Sequence, residues 1–549
     1  MPNKQSKTAF GGLKSPWLFL LPLAAFIVLR FPLLRLPPFG DEEMFVRQAA
    51  NLGAGNPAGY PVLGFLILRG GFFFLGWNHL RWVPFLFSLG VFALTAFIGE
   101  DFMGFGGAYL AAWLLALSPL SVSVSPQILM DGSFVAFFFL AFLLLYKKSL
   151  RVKEFQPWTL IACGVLFGCL WMTSYAAFAL ASGVGLYALL RAGVKRTLRD
   201  FSLIGPCGAA VFALYPLLAP GSYKLSTHKL GLFHSAPVIA HLASQPWLFV
   251  SSWAKAVIFV GPLLLWGLAR ALVRREGRQS RELLLSACLC YMLLLLVFIN
   301  PDRTMDYWSP VLPLLCVLAA GELLSWGNSL RWRDIPPWAA AYWIALGILT
   351  ASGPHAVFAV HPMRYAPKFW LEFFPVRMFY GPSLGCYFRP AALIASFAGL
   401  AALWLFTRRF PAARTHLAAL GLAYGLFYSL EYAHPLFSPN LNNAGARMLA
   451  EFQARPPTEP LYLHGYSAMA CEKSGIPAQP FMYAGDVIAN LIPAMERTGG
   501  TLALADAPAI GPDSPLRELL ARDAELKESF SDDGVALVQV WSLKKSAAR

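Results

Sequence analysis

The sequence predicts an all-α polytopic membrane protein with a small α/β domain at its C-terminal end. Three observations support this fold class. Of 549 residues, 57% are hydrophobic and only 13% are charged, and the mean hydropathy is +0.55. Apolar runs long enough to cross a hydrocarbon core of about 30 Å recur along residues 16–432. Beyond residue 433 the runs become short and alternate between strand-like and helix-like patterns.

The apolar runs predict about thirteen membrane-spanning helices. The first run follows Lys4, Lys7 and Lys14, is too long for a signal-peptide core and lacks a small-residue cleavage site. We therefore expect it to remain as a helix, with a cytoplasmic N-terminus. The predicted spans are 16–36, 82–99, 106–121, 126–146, 157–174, 176–191, 202–219, 252–270, 283–299, 308–325, 337–353, 390–407 and 415–432.

The charge distribution orients these spans. An odd number of spans places the C-terminus outside, and the predicted inner segments carry more Lys and Arg than the longer outer loops. The sequence thus predicts a multi-pass protein of the plasma (inner) membrane with an external, periplasmic C-terminal domain. A net charge of +15 could indicate nucleic-acid binding. We exclude that class because the basic residues lie in short loops between spans.

Two domains are predicted, a transmembrane domain over 1–432 and an external α/β domain over 433–549. In the second, strands are predicted at 460–466, 501–507 and 534–543, and helices at 486–497 and 515–523. Cys386 and Cys471 fall on the outer side, where an oxidising compartment would allow but not require a disulfide. The other six cysteines lie in apolar runs and are predicted core residues: Cys163, Cys169, Cys207, Cys288, Cys290 and Cys316.

Three consecutive acids, Asp41, Glu42 and Glu43, follow the first span in "GDEEMFVRQAANL". Gly40 or Asp41 can cap a short helix here, and acids in a first turn are stabilised by the helix dipole. Glu43 is expected to be a solvated first-turn acid. The helix would lie at the membrane interface on a mostly apolar face made of Phe45, Gln48, Ala49 and Leu52.

Asp131 lies in "SVSPQILMDGSF", at the start of the fourth predicted span. With Ser125 as N-cap and Pro126 as first helical residue, Asp131 would lie about 7 Å below the helix start. A carboxylate at that depth is costly unless it faces water or a partner, so it is a functional candidate. The alternative is a structural acid that pairs with a basic residue of a neighbouring helix.

Arg303 is the single basic residue in the outer loop before the tenth predicted span, in "NPDRTMDYWSP". An arginine there can anchor the helix end or pair with Asp302 or Asp306. It can also hold a phosphate through a bidentate, charge-assisted contact. The sequence has no Walker loop, HExxH motif or Cys/His metal cluster.

In order along the chain, these features resemble the GT-C integral-membrane glycosyltransferases that use polyprenyl-phosphate sugars. The likeness is to the branch that includes protein O-mannosyltransferases and the lipid A aminoarabinose transferase. The matching stretches are Asp41-Glu42, "GYPVLGFLI" (59–67), "LRWVPFLFSLG" (80–90), "LSPLSVSVSPQILMD" (117–131) and the set Arg303, Tyr307 and Pro310.

The resemblance implies a GT-C type fold and an inverting glycosyltransferase. It would move a hexosyl or pentosyl group from a polyprenyl-phosphate donor to a lipid, glycan or protein acceptor on the outer face of the membrane. No cofactor would be required, and a divalent metal between Asp41 and Asp131 is left open. Two alternatives are a lipid-linked sugar carrier or flippase and a non-catalytic scaffold. The second arises because Gly59-Tyr60 stands where the family has a basic or imidazole residue.

The resemblance also implies residue roles. Asp41 would be the general base, with Glu42 in support, and Asp131 would orient the base or bind the acceptor. Cationic residues would stabilise the phosphate leaving group, and two tyrosines would bind substrate. The implied donor-phosphate residues are Arg303, Arg81 and Arg364, and the implied substrate-binding residues are Tyr60 and Tyr307.

Overall fold

The computed structural model describes a helical bundle before residue 328 and an α/β unit from residue 441. The described residues are 16–35, 38, 41–52, 62–76, 79–152, 154–174, 177–218, 260, 262–274, 278–298, 308–327, 356–357, 387–388, 441–465, 468–481, 487–505, 515–532 and 535–543. The bundle helices are α1 (Leu20–Arg30), α2 (Asp41–Ala50), α3 (Leu63–Leu75), α4 (Trp82–Met103), α5 (Phe105–Leu117), α6 (Pro119–Val124), α7 (Val135–Arg151), α8 (Pro157–Trp171), α9 (Ala177–Ala192), α10 (Val194–Phe212), α11 (Tyr215–Leu218), α12 (Pro262–Val273), α13 (Arg278–Phe298) and α14 (Leu312–Gly327).

Every predicted span up to residue 325 overlaps a helix of this bundle. Among the described residues, two helices are long and apolar enough to cross a membrane, by length and composition alone: α4 and the run Gly132–Arg151. The 22 residues of α4 extend about 33 Å, close to the thickness of a hydrocarbon core. The predicted total of thirteen is not confirmed, because seven other apolar helices have only 10–17 residues. The predicted spans 337–353, 390–407 and 415–432 lie outside the described residues.

The bundle has two ends that differ in their charges. At the end where α2 lies, called here the α2 end, Arg30 and Arg81 are almost fully buried. At the opposite end, the described charged groups form ion pairs, of which some are partly exposed and the pair of Glu322 with Arg281 is buried. These pairs are Asp101 with Lys147 and Arg151, Arg191 with Glu282, and Glu322 with Arg274 and Arg281. Buried charged side chains therefore occur at both ends of the bundle.

Small residues allow close packing inside the bundle. A Cβ added to Gly168 of α8 would lie 2.8 Å from the carbonyl oxygen of Gly208 in α10, and one on Gly164 would lie 2.9 Å from that of Ile204. The two helices thus approach backbone to backbone along a small-xxx-small stripe, a packing mode common among membrane helices.

Large aromatic side chains are exposed on the bundle surface. Phe73 and Phe74 at the end of α3 are each 82% exposed, and Trp158 at the start of α8 is 81% exposed. In water such a surface would favour association, whereas aromatic side chains at helix ends are typical of a membrane interface. Helix α3 was not predicted as a separate element. Its last turn carries Phe73 and Phe74, called here the aromatic cluster of α3.

The predicted helix from Pro126 is wrong in its first turns. Helix α5 ends at Leu117, Ser118 is extended (φ −63, ψ 127), and the short α6 follows with Ser125 at its C-terminal cap. Residues 125–129 are non-helical, with a turn at 125–126 and an extended Leu129, and Met130–Phe134 form a π-helical turn before α7. Gly132 has non-helical angles inside that turn (φ −89, ψ −122). Asp131 is therefore in an irregular backbone segment, not five residues into an α-helix.

The C-terminal unit is a five-stranded mixed sheet with helices on both faces. Its strands are β3 (Leu461–His464), β4 (Ala478–Phe481), β5 (Gly500–Ala505), β6 (Ala524–Asp532) and β7 (Val535–Leu543), in the spatial order β4-β3-β5-β7-β6. Strands β3, β4 and β5 are parallel, and β7 joins β5 and β6 antiparallel. The helices are α15 (Leu441–Ala454), α16 (Ala468–Lys473), a π-helical turn (Val487–Leu491), α17 (Ile492–Thr498) and α18 (Pro515–Asp523).

This unit has two cores because neighbouring strand residues face opposite sides of the sheet. Leu461 and Leu463 pack with Met448 of α15 on one face, whereas Tyr462 and Leu504 pack on the other face with residues of α17 and α18. The predicted strands and helices of this region are confirmed, while α15, β4 and β6 were not predicted. The predicted boundary at residue 432 lies outside the described residues. Before this unit, Ala356–Val357 (β1) and Tyr387–Phe388 (β2) pair antiparallel.

Cys471 is buried and carries a free thiol. Cys386 lies outside the described residues, so a bridge between the two stays a prediction. Cys163, Cys288 and Cys316 are buried core residues as predicted. Cys169, Cys207 and Cys290 are partly buried.

Candidate functional site

Helix α2 begins at Asp41, as the acid-rich first turn predicted. Its apolar face is buried: Phe45, Ala49 and Leu52 are at most 5% exposed, and the ring of Phe45 lies 6.1 Å from that of Phe65 in α3. The expectation that α2 lies at a membrane interface through this face is wrong, because this face belongs to the protein core. The helix is thus held rigidly at one end of the bundle.

Glu42 forms a buried ion pair with Arg81, the residue that precedes α4. Glu42 Oε2 contacts Arg81 Nη2, and the two side chains are 3% and 2% exposed. A charge buried this deeply is costly unless its partner and its hydrogen bonds are in place. The pair therefore fixes α2 against the start of α4.

The second carboxylate oxygen of Glu42 accepts a hydrogen bond from the backbone. The amide of Ile128 donates to Oε1 at 2.8 Å. A bond of this kind to an ionised group contributes about 1.5–3 kcal/mol. Since Ile128 lies three residues before Asp131, Glu42 ties α2 to the turn that carries Asp131.

Serine hydroxyls form hydrogen bonds with backbone carbonyls in the segment before Asp131. Ser125 Oγ donates to the carbonyl of Ser121, and Ser133 Oγ donates to the carbonyl of Ser125 at 3.2 Å. The amide of Gln127 donates to Val124 O at 3.0 Å. Side chains that compete for backbone groups in this way disfavour a regular helix. They explain why the chain does not continue as α-helix after Val124.

Asp41 directly precedes Glu42 in α2, and Asp131 lies three residues after Ile128, whose amide binds the Glu42 carboxylate. The side chains of Asp41 and Asp131 lie outside what the structure describes, as do the predicted substrate and phosphate residues Tyr60, Arg303, Tyr307 and Arg364. Glu42 and Arg81 are described and lie together. Their roles in catalysis remain proposals.

Arg30, at the end of α1, was not predicted as part of the site. It is fully buried and donates to Phe26 O (2.9 Å), Ala116 O (3.0 Å), Leu115 O (3.3 Å) and Ser121 Oγ (2.6 Å). Its guanidinium also lies 3.5 Å from the centroid of the Phe26 ring. The sequence signal was an arginine in the last turn of an apolar run. The same pattern is equally typical of an arginine that anchors a helix end at the membrane interface.

Glu43 is not the solvated acid that its position predicted. Its side chain is 7% exposed, and it accepts from Arg47 Nη2 at 2.9 Å and from Arg47 Nε at 3.1 Å. Arg47 Nη2 also lies 3.2 Å from Glu472 of α16, so one guanidinium bridges α2 and the C-terminal unit. Burial and the charges of Glu43 and Glu472 raise the pKa of the nearby Cys471 thiol to about 12.

Glu472→Gln should change the stability of the whole protein only slightly. Both Arg47 and Glu472 are more than 40% exposed, and an ion pair of this kind contributes about 0–1 kcal/mol. We expect thermal unfolding in detergent to show a small decrease that disappears at high salt. A large decrease that salt does not change would show that Glu472 has a buried role.

The described side chains contain no group of three His, Cys, Asp or Glu residues that could hold a metal ion. The side chains of Asp41 and Asp131, between which a metal was left open, do not belong to that described set. The arrangement around Glu42 can hold two acid-bearing backbone segments in a fixed relation. This is the kind of support that a catalytic carboxylate needs.

Comparison with known proteins supports the fold. No protein-family model matches the sequence, and no curated protein matches it. Among solved structures, ArnT from Cupriavidus metallidurans bound to undecaprenyl phosphate is 15% identical, with a TM-score of 0.51 over 97% of this chain and 98% of that chain. The apo form of the same ArnT matches over the same shares with 15% identity and a TM-score of 0.50.

A further match is the archaeal oligosaccharyltransferase AglB from Archaeoglobus fulgidus, in complex with an inhibitory peptide and a dolichol-phosphate. It is 13% identical with a TM-score of 0.42, over 91% of this chain and 70% of that chain. The ArnT matches extend over nearly the whole of both chains, and ArnT is a GT-C glycosyltransferase. This chain therefore has the fold of the GT-C glycosyltransferases.

Proposed function

We propose that this protein is an inverting, membrane-embedded glycosyltransferase that moves a sugar from a polyprenyl-phosphate donor to an acceptor hydroxyl or amine. The observation that carries this proposal is the buried Glu42 carboxylate. It binds Arg81 and the amide of Ile128 at once, and so holds the acid-bearing helix α2 against the turn of Asp131. The GT-C fold and the apolar composition support a donor that is itself a lipid.

Asp41 is the general base of the proposed reaction. The acceptor oxygen or nitrogen attacks C1 of the sugar, its proton passes to the Asp41 carboxylate, and the bond between C1 and the phosphate oxygen breaks with its electrons on the phosphate. Attack from the face opposite the leaving group inverts the anomeric centre. Asp131 orients Asp41 or binds the acceptor. The phosphate is a fair leaving group, so it needs cationic stabilisation more than protonation.

Arg303, with Arg364 in support, supplies that cationic stabilisation in this proposal. Arg81 was predicted for the same task, but its 2% exposure and its contact with Glu42 favour a positioning role in the donor-free protein. The same reasoning applies to Glu42, since both of its oxygens are engaged. Tyr60 and Tyr307 are proposed to contact the substrate.

The site is proposed to face the outside of the plasma membrane. The predicted excess of Lys and Arg on the other side of the membrane supports this orientation. The α2 end of the bundle and the C-terminal unit, which Arg47 connects through Glu472, would then share the outer side. The exposed aromatic cluster of α3 would lie at the outer lipid interface, beside the entry of a lipid donor.

The direct test is a transfer assay with purified protein, an undecaprenyl-phosphate sugar and a panel of lipid, glycan and peptide acceptors. Release of undecaprenyl phosphate together with an inverted glycosidic product would support the proposal. Movement of the labelled donor across vesicle membranes without transfer would instead support a carrier. The absence of both donor binding and donor transport would support a non-catalytic scaffold. The carrier result and the scaffold result would each overturn the proposal.

Arg303→Ala should raise the KM for the lipid-phosphate donor about tenfold or more, since it removes a charge-assisted contact of roughly 1.5–3 kcal/mol. The reason is that the phosphate keeps its negative charge throughout binding and transfer. Initial rates at varied donor concentration measure the change. An unchanged donor KM and an unchanged kcat would remove Arg303 from this role.

A further inference from the structure

The end of α5 leaves backbone carbonyls without their usual donors. The residue four positions after Leu115 is Pro119, which has no N–H, and Ser118 between them is extended. Carbonyl groups at a helix end inside an apolar core need another donor. Among the described residues, the guanidinium of Arg30 fills this need through its bonds to Leu115 O and Ala116 O.

Arg30 also contacts the segment that follows the break. It donates to Ser121 Oγ at 2.6 Å, and Ser121 Oγ lies 3.5 Å from Ser125 Oγ. Ser125 O in turn accepts from Ser133 Oγ in the π-helical turn. A continuous series of hydrogen-bonding groups thus runs from Arg30 to the turn that carries Asp131.

A purely structural explanation accounts less well for an arginine at this place. Arg30 is fully buried, and within the described residues it forms no ion pair with a carboxylate. A buried charge is costly, and a neutral amide side chain could donate to the α5 carbonyls without that cost. The geometry gives the guanidinium one distinguishing ability, which is to bind three carbonyls and a serine at once in a planar arrangement.

We propose that Arg30 is a positioning residue for the transfer reaction. It sets the place of the turn Met130–Phe134, and hence of Asp131, through Ser121, Ser125 and Ser133. Glu42 binds the backbone amide of Ile128, two residues before this turn. The inference rests on the proposed function, because the position of Asp131 matters only where Asp131 serves catalysis.

Arg30→Lys tests this inference. Lysine keeps the positive charge but cannot reproduce the planar set of donors. A displacement of the turn by about 1 Å can reduce the rate about 100-fold, so we expect kcat to fall by that order while the donor KM changes by less than about twofold. Hydrogen exchange of the amides in residues 125–134 should become faster in the same variant.

Arg196→Lys is the matched control. Arg196 also caps carbonyls at the end of another helix, those of Ser149 and Val152 at 2.9 Å and 2.7 Å, but at the opposite end of the bundle. It should lower the unfolding temperature and leave kcat and the exchange of residues 125–134 unchanged. An equal loss of kcat in both variants would show a general effect of stability and overturn the inference.

Ser133→Ala keeps the test decisive when an Arg30 variant does not fold. It removes one hydroxyl, should leave the unfolding temperature almost unchanged, and should lower kcat without a change in donor KM. Non-additive effects of Arg30→Lys and Ser133→Ala on kcat would confirm that the two residues act through one path. A wild-type kcat in Ser133→Ala, or additive effects in the double variant, would overturn it.

Wild-type protein that transfers no sugar to any acceptor would refute the proposed function, while the exchange measurement would still report on the link between Arg30 and the turn.

Discussion

Arg81→Met should destabilise the protein by about 3–5 kcal/mol, because it leaves the Glu42 carboxylate buried without its countercharge. Both side chains are nearly inaccessible to solvent, so water cannot compensate for the lost partner. Unfolding in a mild detergent, followed by heat or by titration with a denaturing detergent, measures the loss. The hydrogen bond from Ile128 to Glu42 should weaken as well, which would appear as faster amide exchange at Ile128.

Two further variants test whether the buried charge of Glu42 causes this loss of stability. The double variant Arg81→Met with Glu42→Gln should recover part of the lost stability, since it removes both charges and keeps an acceptor for the Ile128 amide. Arg47→Met is the control at the neighbouring acid of α2, Glu43. Arg47 is 43% exposed, so water still reaches this pair and the loss should be smaller than that of Arg81→Met. Equal losses for Arg81→Met and Arg47→Met would contradict the difference in burial.

Asp41→Asn should lower kcat by about 10²–10⁴-fold, the usual contribution of a positioned general base. Asparagine has nearly the same shape and can cap α2 equally well, so the fold and the donor KM should not change. Rates of undecaprenyl phosphate release at saturating donor and acceptor measure the effect. The unfolding temperature of the variant should equal that of the wild type.

Glu43→Gln is the control for that experiment. Glu43 lies two residues from Asp41 in the same helix, but it faces Arg47 and the C-terminal unit. It should therefore keep the wild-type kcat. Wild-type transfer by Asp41→Asn would remove Asp41 as the base, and loss of transfer in Asp131→Asn alone would move that role to Asp131.

Patterns that depend on near neighbours in the sequence predicted much of the fold. The acids and the apolar spacing after residue 40 predicted α2, and helix α18 begins and ends where the pattern at 515–523 placed it. The apolar runs predicted the positions of the bundle helices. The strand β6 was missed because "AELKESFSD" is strongly charged for a strand, and it is stabilised by pairing with β7 rather than by an apolar face of its own.

The break before Asp131 had a local signal that favoured the wrong interpretation. Ser125-Pro126 has the composition of a helix start, and Pro119 seven residues earlier has the same character. Only Pro119 begins a helix, and the segment after it also bonds to Arg30 and Glu42, which lie outside it. No window of sequence around residue 126 contains those partners.

The sequence by itself determined the mostly helical class of the protein, the positions of many of its helices and strands, and the acids that are candidates for chemistry. Hydrophobic periodicity and turn residues act over a few positions, so they can be recognised without a structure. The tertiary structure decided the partners. Glu42 meets Arg81 across 39 residues and Ile128 across 86 residues, and Arg47 meets Glu472 across 425. Such contacts depend on how the helices pack, which is why a first-turn acid turned out to be the buried link between α2 and the turn of Asp131.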